Sequence, residues 1–210
     1  MTIKNLKNYN YVRFLQLLVL NTKKKKSLEI IFLLEYELVK IFNATEDNNL
    51  RLIKYQWYID EIKKTSSELS IVNEIIILKK HYDLGNLFEK LFMQYQSLSL
   101  QNNNYEEIFL IFRKISSSYN LIIKSIVSES HHLFQTSPIY QFYYFLYHLR
   151  IQSLSYKTIK KIMVEYDINR INYFEKMFCM CFLKREQKNL KKKISKMEYI
   201  FQIFLGIFIK

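Results

Sequence analysis

LEIIFLLEYELVKIFN, residues Leu28 to Asn43, is the stretch whose reading decides the fold class. Ile30, Ile31, Leu34, Leu38 and Ile41 recur at the spacing that returns a side chain to one face of an α-helix, so a helix is predicted from about Leu28 to Asn43, with Ser27 as its N-cap. The same spacing continues outward. Leu52, Ile53, Trp57 and Ile62 predict a second helix beginning near Asn49, and further helices are predicted over Glu68 to His81 and, behind Asp83 as a cap, over Leu84 to Leu98. Asn104 followed by Glu107 resembles a capping box opening a long helix through Ile108, Phe112, Ile115 and Ile122. Ser137-Pro138 sets Pro at the first position of an aromatic helix that includes Phe142, Phe145 and Leu149. Two or three more helices are expected from Ser155 onward, about eight in all.

Composition agrees with that pattern. Half of the 210 residues are apolar or aromatic, which excludes an extended disordered chain, and only two Gly and one Pro occur. Long helices joined by Asn/Ser/Lys connectors need few of either residue, so the expectation is an all-α, single-domain helical bundle over residues 1–210. Cys179 and Cys181 are too close for an ordinary staple and read as buried thiols of a reducing compartment. The apolar stretch Phe14 to Leu20 lacks the flanks of a secretory signal, and Tyr199 to Ile209 falls short of the roughly 20 residues that cross a bilayer. The chain therefore reads as soluble or peripheral to a membrane. Its formal net charge of +13 allows two readings, a solvated lysine-rich surface or a basic face for nucleic acid or anionic lipid.

Residues Tyr11 to Ile62 carry a resemblance to a known family. Arg13-Phe14-Leu15, then Leu34 to Ile41 (LEYELVKI), then Ala44-Thr45-Glu46, then Ile53 to Asp60 (IKYQWYID) follow in the order and spacing of R-F-L, F-N-x-E-L-A-x-I, V-S-E and I-R-L-Q-W-W-R-D. That series is similar to the short-motif branch of the squalene/phytoene synthases. Tyr147-His148-Leu149-Arg150 looks like the family's helix ending in L-L-R, and Glu165-Tyr166-Asp167-Ile168 like its E-H-G-L turn. The resemblance implies a bundle of the isoprenoid synthase type and marks Glu37, Lys40, Gln56, Trp57, Asp60 and Arg150 as cavity or motif residues.

Enzymes of that family join two isoprenyl diphosphates, and ionising a diphosphate requires Mg²⁺ held by carboxylate oxygens from more than one helix. Acids three or four positions apart on a helix supply such ligands. The nineteen Asp and Glu residues here include no such pair: they are neighbours (Glu46-Asp47, Asp60-Glu61, Glu106-Glu107), two apart (Glu35 and Glu37, Glu165 and Asp167), or alone. Aligned on the motifs, the family's first aspartate-rich site falls on Val39, Lys40 and Asn43, and its second on Ile151, Ser153 and Leu154. No catalytic residue, metal ligand or cofactor is therefore assigned, and Mg²⁺ enters only if carboxylates such as Glu37 and Glu165 assemble a site from different helices.

The short-motif branch includes a mitochondrial factor for assembly of respiratory complex I. The resemblance thus implies a non-catalytic binding or assembly protein that holds an isoprenoid or lipid and contacts respiratory-complex subunits. It implies a location in the bacterial cytoplasm or mitochondrial matrix, beside the inner membrane. An isoprenyl transferase with an altered metal site is the first alternative, and a basic helical nucleic-acid binder the second. Trp57 has a second reading as a core anchor, and Glu37 as an ion-pair partner of Arg51 or Lys54. The aromatic segment Phe134 to Tyr147 reads either as the lining of a greasy cavity or as filled core. His131-His132 diverge on a helix, and neither they nor the cysteines make a metal site. No Gly-rich phosphate loop or nucleophile elbow is present.

Overall fold

The computed structural model describes residues 3–18, 20, 24–101, 105–128, 134–149 and 172–187. Every regular element among them is a helix: α1 (Ile3–Tyr9), α2 (Tyr11–Leu18), α3 (Lys25–Asn43), α4 (Asn48–Glu61), α5 (Ser70–His81), α6 (Leu87–Ser99), α7 (Tyr105–Val127), α8 (Pro138–Leu149) and α9 (Tyr173–Gln187). The all-α class expected from the periodicity is therefore observed, while α1 and α2 were not foreseen. Arg150, His131-His132, the Glu165 to Ile168 turn and Tyr199 to Ile209 lie outside the described residues.

The helix α3 runs through the middle of the assembly and packs against α1, α2, α4, α5, α6, α7 and α8. Its sequence explains the position. Leu28, Ile31, Phe32, Leu33, Leu34, Leu38 and Val39 cover all sides of the helix and are all buried, and a helix apolar all round belongs inside. The peripheral helices have narrower apolar stripes. Tyr55 and Ile59 turn inward from α4, Phe88, Leu91, Phe92 and Tyr95 from α6, and Phe112, Ile115, Tyr119 and Ile122 from α7. Consecutive contacts join α4 to α6, α6 to α7, α7 to α8, and α8 to α9, with α9 also against α2.

The starts of α3 and α6 differ from expectation, while α4 opens at Asn48, close to the expected Asn49. Lys24, not Ser27, occupies the N-cap position of α3; Ser27 lies inside the helix, its hydroxyl 3.2 Å from that of Tyr82. Asp47 caps α4 by accepting from the backbone N–H of Asn49 at 2.8 Å and of Leu50 at 3.4 Å. Asp83 is no cap, because with Gly85 it takes a left-handed conformation (φ 48° and 49°) in a turn that delays α6 to Leu87. The start of α8 agrees with the sequence. Pro138 is its first residue, and the Ser137 hydroxyl accepts from the Tyr140 N–H at 3.1 Å.

Candidate functional site

The motif residues divide into separate local pairs. Glu37 is buried on α3 and meets the exposed Lys40 ammonium, one turn along the same helix, at 3.4 Å. It does not pair with Arg51 or Lys54. Arg51 instead closes the α3–α4 corner: its Nε donates to the carbonyls of Phe42 (2.9 Å) and Thr45 (2.8 Å), its Nη1 to Asn48 Oδ1, and its guanidinium lies 4.0 Å from the Phe42 ring centre. Such contacts satisfy carbonyls that the end of α3 leaves without helical partners. On α4, Gln56 donates to Asp60 at 2.9 Å and accepts from Gln96 of α6 at 3.3 Å.

Trp57 is not a core anchor, since it is 45 % exposed. It stands two positions from Tyr55, about 200° around a helix, so the two cannot face the same way. Tyr55 holds the inward position: it is fully buried, and its hydroxyl donates to the Leu38 carbonyl at 2.8 Å.

The polar centre of the molecule lies elsewhere, on residues whose sequence spacing gives no sign of their meeting. Arg13 of α2 is 1 % exposed, and each of its N–H groups finds an acceptor. Nε donates to Glu35 Oε2 (2.9 Å), Nη2 to Glu35 Oε1 (2.9 Å) and Thr136 Oγ1 (2.6 Å), and Nη1 to Glu175 Oε1 (2.7 Å) and Gln16 Oε1 (2.9 Å). That is the full donor set of a guanidinium. Glu35 is equally saturated, because Asn10 Nδ2 donates to Oε2 at 2.8 Å and Gln141 Nε2 to Oε1 at 2.5 Å. The second oxygen of Glu175 accepts from the Ser137 N–H at 2.9 Å. Asn120 of α7 ties in the Thr136 backbone, accepting from its N–H and donating to its carbonyl.

The surroundings set the charges of this cluster. The Phe32 and Tyr140 rings lie 4.9 and 4.5 Å from the guanidinium carbon. Burial opposes the positive charge on Arg13, but attraction to Glu35 and Glu175 and hydrogen bonding to Glu35 outweigh it, so its pKa stands well above the ordinary value. Burial pushes the Glu175 carboxyl up, against the pull of Arg13 and the Ser137 bonds. Burial likewise raises Tyr140, which donates as a neutral phenol to Asn10 Oδ1 at 3.0 Å.

Around the cluster the interior is filled with aromatic side chains. Phe134, Tyr140, Phe142, Tyr143, Tyr144 and Phe145 are all buried. Their rings meet others directly: Phe142 with Phe109 and Phe112, Phe145 with Phe42, and Tyr143 with Phe182, at 4.8 to 5.8 Å between centres. Cys179 and Cys181 are buried free thiols, as their helical setting suggested, and burial pushes the Cys179 thiol well up. Among the described residues no three His, Cys, Asp or Glu side chains gather where a metal ion could be held.

Fold and site together define an all-helical bundle whose interior carries a saturated ion cluster and whose motif residues lie in pairs along α3 and α4. No family model matches the chain, and neither a curated protein nor a solved structure matches it. No helix among the described residues is long and apolar enough to cross a membrane.

Proposed function

We propose that this chain is a non-catalytic binding or assembly protein, a helical scaffold that works through its outer surface and carries out no isoprenyl chemistry inside. The observation that supports this reading is the Arg13 cluster. A diphosphate enzyme needs oxygen ligands turned toward open space for its Mg²⁺ ions. Here the carboxylate oxygens of Glu35 and Glu175 are turned toward Arg13, Asn10, Gln141 and the Ser137 backbone, and aromatic rings occupy the neighbouring volume. Lys40, bonded to Glu37, adds a positive charge beside the motif carboxylate of α3.

In this reading the likeness to squalene/phytoene synthases is a proposed ancestry of the scaffold. Of the two roles implied by that likeness, a ligand held inside and a partner held outside, the geometry favours the second. Subunits of a respiratory membrane complex are the proposed partners. The test is turnover: purified chain incubated with farnesyl or geranylgeranyl diphosphate and Mg²⁺ is expected to yield no condensed or ionised product above the protein-free blank. A product that disappears in Glu37→Gln would overturn the proposal.

A further inference from the structure

Helix α4 has two apolar faces, and a helix lying on a core needs only one. Tyr55 and Ile59 face inward, whereas Leu50, Ile53 and Trp57, three and four residues apart, are 48, 64 and 45 % exposed. Helix α6 repeats the pattern with Met93 and, just past its end, Leu100, at 57 and 59 %. Tyr58 stacks on Phe92, Tyr55 meets Tyr95, and Gln96 bonds the Leu52 carbonyl. Residue numbers fall along one helix as they rise along the other, so the two are antiparallel. Their outer rows therefore run side by side, with Trp57 toward the Met93 end and Leu50 toward the Leu100 end. Between the rows lies an open groove of about 450 Å³, lined by Leu52, Ile53, Met93 and Leu100 with Gln56 and Gln96 at its polar points.

Size and charge identify the occupant. Taking roughly 200 Å² for a large apolar residue in an extended chain, the five exposed residues present on the order of 500 Å² of apolar surface. A standard interface buries about 800 Å² per partner, a little over half of it apolar, so the face matches what one copy contributes to a stable dimer. The chain carries a net charge of +13, yet among the described residues no lysine or arginine lines the groove, and the exposed Lys54 stands beside the ridge, between Leu50 and Trp57. An acidic helix or an anionic bilayer would be held by several cations at the contact, whereas a like-charged molecule meets this one most readily over the uncharged groove, with Lys54 left at the rim.

We propose that the α4–α6 face binds a second copy of the chain about a two-fold axis, the Leu50–Ile53–Trp57 ridge of each copy seating in the groove of the other. Such an isologous contact uses one patch that is both ridge and hole. It is independent of the non-catalytic reading, since an active enzyme could dimerise in the same way.

Trp57 is the chain's single tryptophan, so its emission reports directly on this face. Sedimentation equilibrium of the full chain over about 1 to 100 μM is expected to show a dimer, with Trp57 emission moving to the blue as it forms. Raising the salt concentration should tighten the dimer by screening like charges. Ile53→Asp and Met93→Asp, both at exposed positions, should each weaken association at least about 30-fold while circular dichroism shows the helices intact. A wild-type chain that stays monomeric over that range, or a dimer that neither substitution weakens, would overturn the proposal. A monomer whose Trp57 emission shifts only on vesicles of anionic lipid would overturn it as well, assigning the face to a bilayer.

Discussion

A guanidinium withdrawn from water loses several kcal/mol of hydration, which is recovered only when its donors and its charge are matched. Arg13 meets that condition through Glu35, Glu175, Gln16 and Thr136, side chains brought from as far as 162 positions along the chain. Burial is what raises the Glu175 carboxyl against the pull of Arg13, and the second carboxylate, Glu35, adds a smaller push in the same direction. The sign of the shift's effect on stability follows. The folded chain holds this proton more tightly than the unfolded one, whose carboxyl titrates near about 4.3, so the native state loses stability as pH rises from there through the raised folded value. Glu175→Gln removes the titration. Thermal or urea unfolding between about pH 4 and 8 should show the variant gaining on wild type as pH rises, by at most about 1.4 kcal/mol per pH unit, and parallel curves would refute the assignment.

Elements are joined here by polar corners as much as by apolar faces. Asp47 opens α4 while Arg51, one turn later, ties its own helix to the carbonyls at the end of α3. Asp47→Ala removes only the cap, so it should cost about 1 kcal/mol in denaturant unfolding and leave the emission of Trp57 in the native state unchanged. The same corner marks where local reading succeeds. The helices α3, α4, α7 and α8 follow from apolar spacing and from Pro138, because a helix's exposed and buried faces are written at intervals of three and four. Ser27 and Asp83 mislead because a short polar residue has the same composition as a cap and as a turn or a mid-helix hydroxyl, and the backbone alone decides between them. Trp57 misleads for another reason. An aromatic at helical spacing is normally core, but α4 carries a second apolar stripe, and Tyr55 takes the inward place.

At the scale of the molecule, the fold class was legible and the polar centre was not. Charges inside apolar runs, Arg13 in YVRFLQLL and Glu35 in FLLEYEL, are the available signal, since such charges fold inward only with partners. Glu175 carries no such mark, and its meeting with Arg13 is fixed by how α9 lies against α2 and α8. The resemblance drew attention to Glu37, while the carboxylate that organises the interior stands two positions earlier, at Glu35. In the reading proposed above, a bundle centred on a saturated ion cluster and packed aromatic rings leaves little room for a prenyl diphosphate. Thermal unfolding of the full chain with farnesyl or geranylgeranyl diphosphate and Mg²⁺ tests that claim most directly, because a ligand bound to the native state alone must raise the midpoint. An unchanged midpoint is the predicted result; a rise of several degrees that needs both diphosphate and Mg²⁺ would contradict it.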